Sequence, residues 1–238
     1  MKYKRILIKL SGEGFANKEK NLAIDPELVE NVARQLKEIN QMGVEISIVI
    51  GGGNFWRGAS AEKNGIPRNN ADYIGMLATV MNGLALRSGF EKIGLKSRVV
   101  SSISMDSRVV EYYVNEKAIK YLEDGEVVIF VGGTGRPYFT TDTAATLYAS
   151  EIGAKVILMG KNRVDGIYDS DPRKNPNAKH FDKITYDEIL EKKLQVMDLT
   201  ATSMARDNNI NLIVFNLLEK DSIVKVLKNQ ITHTEVTR

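Results

Sequence analysis

No cysteine occurs anywhere in this chain of 238 residues, which excludes disulfides and thiolate metal sites. Imidazole is offered only by His180 and His233, so a structural zinc site is not expected. Long apolar runs are missing as well: segments such as Ile46 to Ile50 and Val127 to Val131 are far shorter than the roughly 20 residues a bilayer span requires. The start Met1-Lys2-Tyr3-Lys4-Arg5 leads into a strand-like Ile6 to Leu10 with no targeting pattern, and a cytoplasmic protein without a membrane partner is expected. Neither sign of charge dominates. Lys and Arg number 33 against 30 Asp and Glu, a net charge of +3, and the two signs are interspersed. A nucleic-acid-binding domain would gather its basic residues on one stripe, so no nucleic-acid partner is expected; the small excess suits anionic small molecules.

Three familiar phosphate-handling signatures are absent too. No glycine cluster is followed by Gly-Lys-Ser/Thr, so there is no P-loop. Gly12-Glu13-Gly14 has Asn17 where a dinucleotide fingerprint needs its third glycine. The His-Arg-Asp loop of protein kinases does not occur.

Strand and helix signals alternate instead, which predicts an α/β fold with a mainly parallel sheet covered on both faces. Arg5 to Leu10 reads as the first strand. Asp25 caps a helix with Pro26 at its first position, a stripe of Leu28, Val29, Val32, Ala33, Leu36 and Ile39, and Gly43 at its end. Glu45 to Ile50 is the next strand, and Trp56 to Asn70 a polar loop or flap. Ala71 to about Arg87 is helical with Ile74, Leu77, Ala78, Met81, Leu84 and Ala85 on its apolar side; Met76 and Met81 suit core or a subunit contact. Further strands fall at Lys96 to Ser101, Val127 to Val131, Val156 to Met159 and Leu212 to Phe215, and helices at Asn115 to Leu122, Thr141 to Ile152, Thr185 to Lys193, Ala201 to Asp207 and Asp221 to Lys228. Ile231 to Thr237 reads as a final strand. No compositional break marks a linker, so residues 1–238 are expected to form one domain with two lobes.

Several strands run directly into glycines: Gly12 and Gly14, Gly51-Gly52-Gly53, and Gly132-Gly133 with Gly135. Residues without Cβ expose successive N–H groups and can hold an anion, although a lone cluster is equally compatible with a tight turn. Lys9, in an apolar strand, must emerge where its ammonium is paired, and the carboxyl edge of the sheet beside Gly51 to Gly53 is one such place; a surface position on an edge strand is the other reading. With Arg57, Arg136 and Lys161, several cations converge on one rim, and phosphoryl transfer depends on positioning and charge neutralisation of that kind.

The ordered segments Lys9-Leu10-Ser11-Gly12-Glu13, Gly51-Gly52-Gly53-Asn54 with Arg57-Gly58, Gly75 to Leu84, Thr134-Gly135 with Pro137 and Phe139 to Asp142, Val164-Asp165-Gly166 with Asp171-Pro172, and Val196-Met197-Asp198 together resemble the bacterial UMP kinases of the amino acid kinase superfamily. The resemblance implies a three-layer αβα sandwich and transfer of the ATP γ-phosphoryl group to UMP, with Mg²⁺ carried by ATP and no direct protein ligand assigned to it. It also implies that Lys9, Leu10, Ser11, Gly12, Gly53, Arg57, Asn162, Tyr168 and Asp171 hold ATP. Gly52, Asp72 and the loop Thr134, Gly135, Arg136, Pro137, Tyr138, Phe139, Thr140 and Thr141 would hold UMP, with Asp72 on the ribose. Lys9 and Asp142 are the implied catalytic pair, while Asp142 read alone also suits a helix N-terminus; Asp198 is a weaker candidate that equally suits a helix cap. Residues to about 155 would form mainly the UMP lobe and those from about 156 mainly the ATP lobe. A homohexamer is implied, and Arg87 and Arg98 match basic positions of a GTP effector site. There Glu126 replaces an arginine of some relatives, so GTP activation is expected to be weak or absent. A small-acid kinase of the acetylglutamate or carbamate type and a non-catalytic nucleotide-binding module are the alternatives.

Overall fold

The computed structural model describes residues 2–58 and 65–238. Residues 59–64 of the expected flap between residues 58 and 70 therefore lie outside the described residues. Among the described residues nine strands form one sheet: β1 (Arg5–Leu10), β2 (Glu45–Ile50), β3 (Ser97–Ser101), β4 (Glu111–Tyr112), β5 (Val127–Val131), β6 (Val156–Lys161), β9 (Lys183–Thr185), β10 (Asn211–Asn216) and β11 (His233–Thr237), in the order β4-β3-β5-β2-β1-β6-β10-β11-β9. All neighbours are parallel except β10 and β11. A separate two-stranded ribbon pairs β7 (Ile167–Tyr168) with β8 (His180–Phe181).

Pleating sends alternate side chains to opposite faces, and each face packs its own layer of helices. On one side Ile6, Ile8 and Leu10 of β1 meet α1 (Pro26–Gln41), α2 (Arg68–Lys92) and α7 (Ser222–Leu227). On the other, Leu7 meets α3 (Asn115–Glu123), α4 (Thr141–Glu151), α5 (Tyr186–Glu191) and α6 (Leu199–Asp207). The result is the expected α/β sandwich of three layers. Lys9 shares the face of Leu7, toward α4.

Helix starts are set by the residues anticipated for them. Asp25 accepts from Glu27 N ahead of Pro26, and Thr185 and Glu188 complete a capping box at α5. One helix departs from expectation. Helix α2 is longer than its pattern, and its buried side carries Ala71, Met76, Ala78, Thr79, Val80, Asn82, Gly83, Leu86 and Phe90. Leu77 and Met81, assigned above to the apolar side, are 52% and 46% exposed, and Ile74 is exposed with them. The helix is apolar on two sides, so periodicity could not choose between them. Packing chose the side with Gly83, where a Cβ would meet Val131 Cγ1 at 2.5 Å. The two- and three-residue strands β4, β7, β8 and β9 were not anticipated.

Candidate active site

The loops that follow β1, β2, β5 and β6 all leave the sheet at its carboxyl edge, where open parallel sheets bind ligands. Lys9, one residue before the end of β1, places its Nζ 2.7 Å from Asp142 Oδ1 in the first turn of α4, and both side chains are mostly buried. This pair joins the two candidate catalytic residues.

Around it the glycine turns are packed so closely that no side chain fits. A Cβ on Gly12 would lie 2.4 Å from Gly51 O and 2.5 Å from Asn54 Oδ1; one on Gly52 would lie 2.7 Å from Gly75 O. Asn54 and the buried Asn82 lock the turn through reciprocal amide hydrogen bonds of 2.9 and 2.8 Å. Asn82 Nδ2 also donates to Gly51 O at 2.7 Å, and Asn54 Nδ2 to Ala23 O at 2.8 Å. Neither asparagine was singled out as a site residue; the available signal was a polar residue inside the apolar run Thr79 to Leu86. Across the same turn Arg57 Nη2 meets Glu13 Oε1 at 2.6 Å.

Beside the pair opens a cleft of about 140 Å³ lined by Gly52, Trp56, Asp72, Thr79, Thr134, Phe139, Thr140 and Thr141, among others. Asp72 accepts from Arg68 Nε at 3.0 and 2.9 Å and from Tyr138 N at 2.7 Å. The loop reaches it because Tyr138 adopts a left-handed φ of 71°, a conformation retained only where surrounding contacts fix it. The base of the loop is fixed by Tyr148, whose hydroxyl donates to Gly133 O at 2.9 Å and is pushed up to about 12 by burial, so it stays protonated. Thr79 holds the same base by accepting from Gly132 N at 2.8 Å. Gly135, Arg136, Pro137 and Tyr138 belong to this loop but do not line the cleft.

A second cleft is lined by Lys161, Asn162, Tyr168, Asp171 and Val196, among others. Tyr168 donates to Asp165 Oδ1 at 2.7 Å, and the Asp171 carboxylate is engaged by Arg173 through its backbone N, Nε and Nη2. Leu10 is a wholly buried core side chain whose carbonyl accepts from Gly51 N, so only its backbone reaches the edge. Asp198 is the cap of α6, accepting from Ala201 N at 2.9 Å, and it also accepts from the hydroxyls of Thr143 at 2.9 Å and of Thr140. It thereby fastens α6 to the start of α4. Lys9 and Asp142 line neither cleft themselves: the first cleft reaches Thr141, next to Asp142 in α4, and the second holds Lys161, which feels the charges of both.

Three comparisons bear on this arrangement. Residues 4–216 match the pattern of the amino acid kinase family. Uridylate kinase from Mycoplasmopsis synoviae is 79% identical over the whole of both chains. Among solved structures, UMP kinase from Ureaplasma parvum superposes with a TM-score of 0.95 at 42% identity, covering both chains completely. Uridylate kinase from Archaeoglobus fulgidus superposes with a TM-score of 0.73 at 25% identity, covering 97% of this chain and 99% of its own. On this agreement in sequence and fold, the chain belongs to the amino acid kinase family, within its bacterial uridylate kinases.

Proposed function

We propose that the chain transfers the γ-phosphoryl group of ATP to UMP, giving ADP and UDP. The observation that carries this reading is the Lys9–Asp142 ion pair, one residue from Thr141 in the lining of the first cleft and coupled in charge to Lys161 in that of the second, supported by full-length likeness to proteins named uridylate kinase. The attacking group is a UMP phosphate oxygen, already anionic near neutral pH, so no general base is required. The task is to bring two polyanions together. Lys9 neutralises charge on the group in flight, and Asp142 orients Lys9.

Gly52, Asp72 and the 134–141 loop form the acceptor side, with Asp72 suited to ribose hydroxyls as an acceptor-only carboxylate. Asn162, Tyr168 and Asp171 form the adenosine side, and Ser11, Gly12, Gly53 and Arg57 the donor-phosphate floor. This divides one domain into an acceptor lobe to about residue 155 and a donor lobe from about 156, both working in the cytoplasm. Mg²⁺ fits as a companion of ATP: the described residues contain no group of three metal-ligating side chains, and Mg²⁺ on nucleotide phosphates needs only one or two carboxylates. Asp142, whose Oδ1 has no hydrogen-bond partner apart from its ion pair, is the carboxylate in place. When bound, the ion supplies further neutralisation of the phosphates.

The test is an ADP-release assay with UMP, CMP and N-acetylglutamate side by side. Release should be fastest with UMP, and its absence with UMP would remove the reading. A small-acid kinase would respond to N-acetylglutamate, and a non-catalytic module to none of the three.

Self-association as a hexamer belongs to the same proposal. Tyr73, Ile74, Leu77 and Met81 form an exposed apolar stripe at helical spacing on α2, and such a patch suits contact with a second copy. Leu77→Glu should reduce the mass found by light scattering; an unchanged mass would place the contact elsewhere. Effector control by GTP is expected to be slight. Arg98 donates to Glu126 at 2.6 and 3.2 Å, so its charge is already matched. Added GTP should change the rate by less than the ~5-fold at the lower end of allosteric couplings, and a larger activation would overturn this expectation.

A further inference from the structure

The ribbon of β7 and β8 carries one wall of the donor cleft. Gly166, Ile167, Tyr168 and Asp169 line that cleft, yet two strands of two residues each are too few to hold their own geometry in water. Burial of the Ile167 side chain places the ribbon in the core on the α4 face, but apolar contact is non-directional and fixes no register. A single hydroxyl does that. Thr234 of β11 is wholly buried; its Oγ1 accepts from Ile167 N at 2.8 Å and donates to Phe181 O at 2.5 Å. Ile167 and Phe181 face each other across the ribbon, so the one hydroxyl holds both strands. The approach is tight: a Cβ on Gly166 would lie 2.5 Å from Thr234 Oγ1 and closer still to His180 Nε2. His180 in turn meets Thr234 Oγ1 at 3.3 Å and lies edge-on to the Tyr168 ring, with centroids 5.1 Å apart. The anchor itself is firm, because β11 is paired with β10 on one side and β9 on the other.

We propose that Thr234 is a positioning residue for the donor nucleotide: through Ile167 and Phe181 it sets the register of the ribbon, and thereby the place of Tyr168 in the donor cleft. The inference rests on the reading of that cleft as the adenosine side. Thr234 does not line the cleft, and its hydroxyl partners, Ile167, His180 and Phe181, all belong to the ribbon. It acts only through the residues it holds. A wall fixed before the nucleotide arrives costs no ordering on binding. Its effect falls on the adenosine part, away from the group in flight, and binding that is equal in ground and transition states enters KM and leaves kcat.

Thr234→Val keeps the branched shape and removes the hydroxyl, which leaves Ile167 N–H and Phe181 C=O without it; Thr234→Ser keeps the hydroxyl and removes a buried methyl. Both should lower Tm. Only Thr234→Val should lower ADP affinity, by about tenfold in calorimetry without acceptor. Its KM for ATP should rise to match, while kcat at saturating ATP and UMP affinity stay within about twofold of the parent. Thr234→Ser should keep ADP affinity within about threefold. The proposal is overturned if Thr234→Val binds ADP as the parent does. It is equally overturned if ADP affinity follows Tm across the two variants, which would make Thr234 a packing residue alone. Hydrogen exchange of the parent without nucleotide covers the case in which Thr234→Val does not fold: the Ile167 amide should be strongly protected, like the amides of β11. An Ile167 amide that exchanges freely until ADP is added would overturn the proposal, because nucleotide and not Thr234 would then order the ribbon. A parent chain that binds no ADP would defeat the donor reading itself, whereas parental ADP binding left intact by Thr234→Val defeats the tether alone.

Discussion

Lys9→Met is expected to lower kcat by about 10³ with the fold intact. Lys9 lies on the α4 face of the sheet, as Lys161 does two residues beyond its partner Met159, and its Nζ is fixed 2.7 Å from Asp142. Methionine keeps the apolar stem and removes the charge, so the change is read at the reacting group more than in packing. Loss of the pair leaves the Asp142 carboxylate partly buried, a cost of about 1–3 kcal/mol, but Lys161 remains a cationic neighbour and moderates it. For a domain of this size each kcal/mol corresponds to roughly 2–4 °C in Tm, so thermal unfolding should move by only several degrees. Steady-state kinetics should show the loss in kcat, with the UMP affinity of the unreacting complex little changed, because Asp72 and the 134–141 loop are untouched. A Lys9→Met variant that kept more than about a tenth of parental turnover would take Lys9 out of the reaction.

What the sequence made legible follows from how local each signal was. β1, β2 and β5 run over the anticipated residues, because an apolar strand that ends in glycine declares both its type and its limit. The Asp25 and Thr185 caps were equally local. Helix α2 was not, since its buried side was decided by what lay opposite: Gly83 against Val131, and Thr79 against the Gly132 turn. The same distinction separates the site residues. Lys9 and Asp142 carry charges that require an explanation wherever they fall, and the family resemblance paired them. Asn54, Asn82 and Glu13 act through contacts across the turn, 28 residues apart in chain order for the two asparagines, and nothing in their local surroundings announces such a contact. Lys161 lay between the two cases: recognisable as a cation at the rim, but distinguished from Arg57 only by its burial and by the lack of a carboxylate beside it.

Gly12→Ala should be among the most damaging single-methyl changes in the chain, although replacement of glycine by alanine at a permitted backbone conformation usually stabilises by about 0.4–1 kcal/mol through the unfolded state. Gly12 has no left-handed φ to lose; its constraint is space. The added Cβ would lie 2.4 Å from Gly51 O, 2.5 Å from Asn54 Oδ1 and 3.0 Å from Asn82 Nδ2. The first is backbone, and the other two belong to the amide pair that fixes the turn, so none can yield without moving Gly51 to Gly53. Overpacking of this kind costs about 1–3 kcal/mol, which outweighs the unfolded-state gain. A shift of about 1 Å in the turn between donor and acceptor would cost roughly a hundredfold in kcat/KM. Gly14→Ala is the matched control, because its Cβ would meet only Leu217 Cδ2 at 3.3 Å and Asn162 Oδ1 at 3.6 Å, and the leucine end can give way. Gly14→Ala should therefore stay within about tenfold of parental kcat/KM. Equal activity in the two variants would show that the turn tolerates displacement and that the approach of Gly12 to Gly51 serves packing alone.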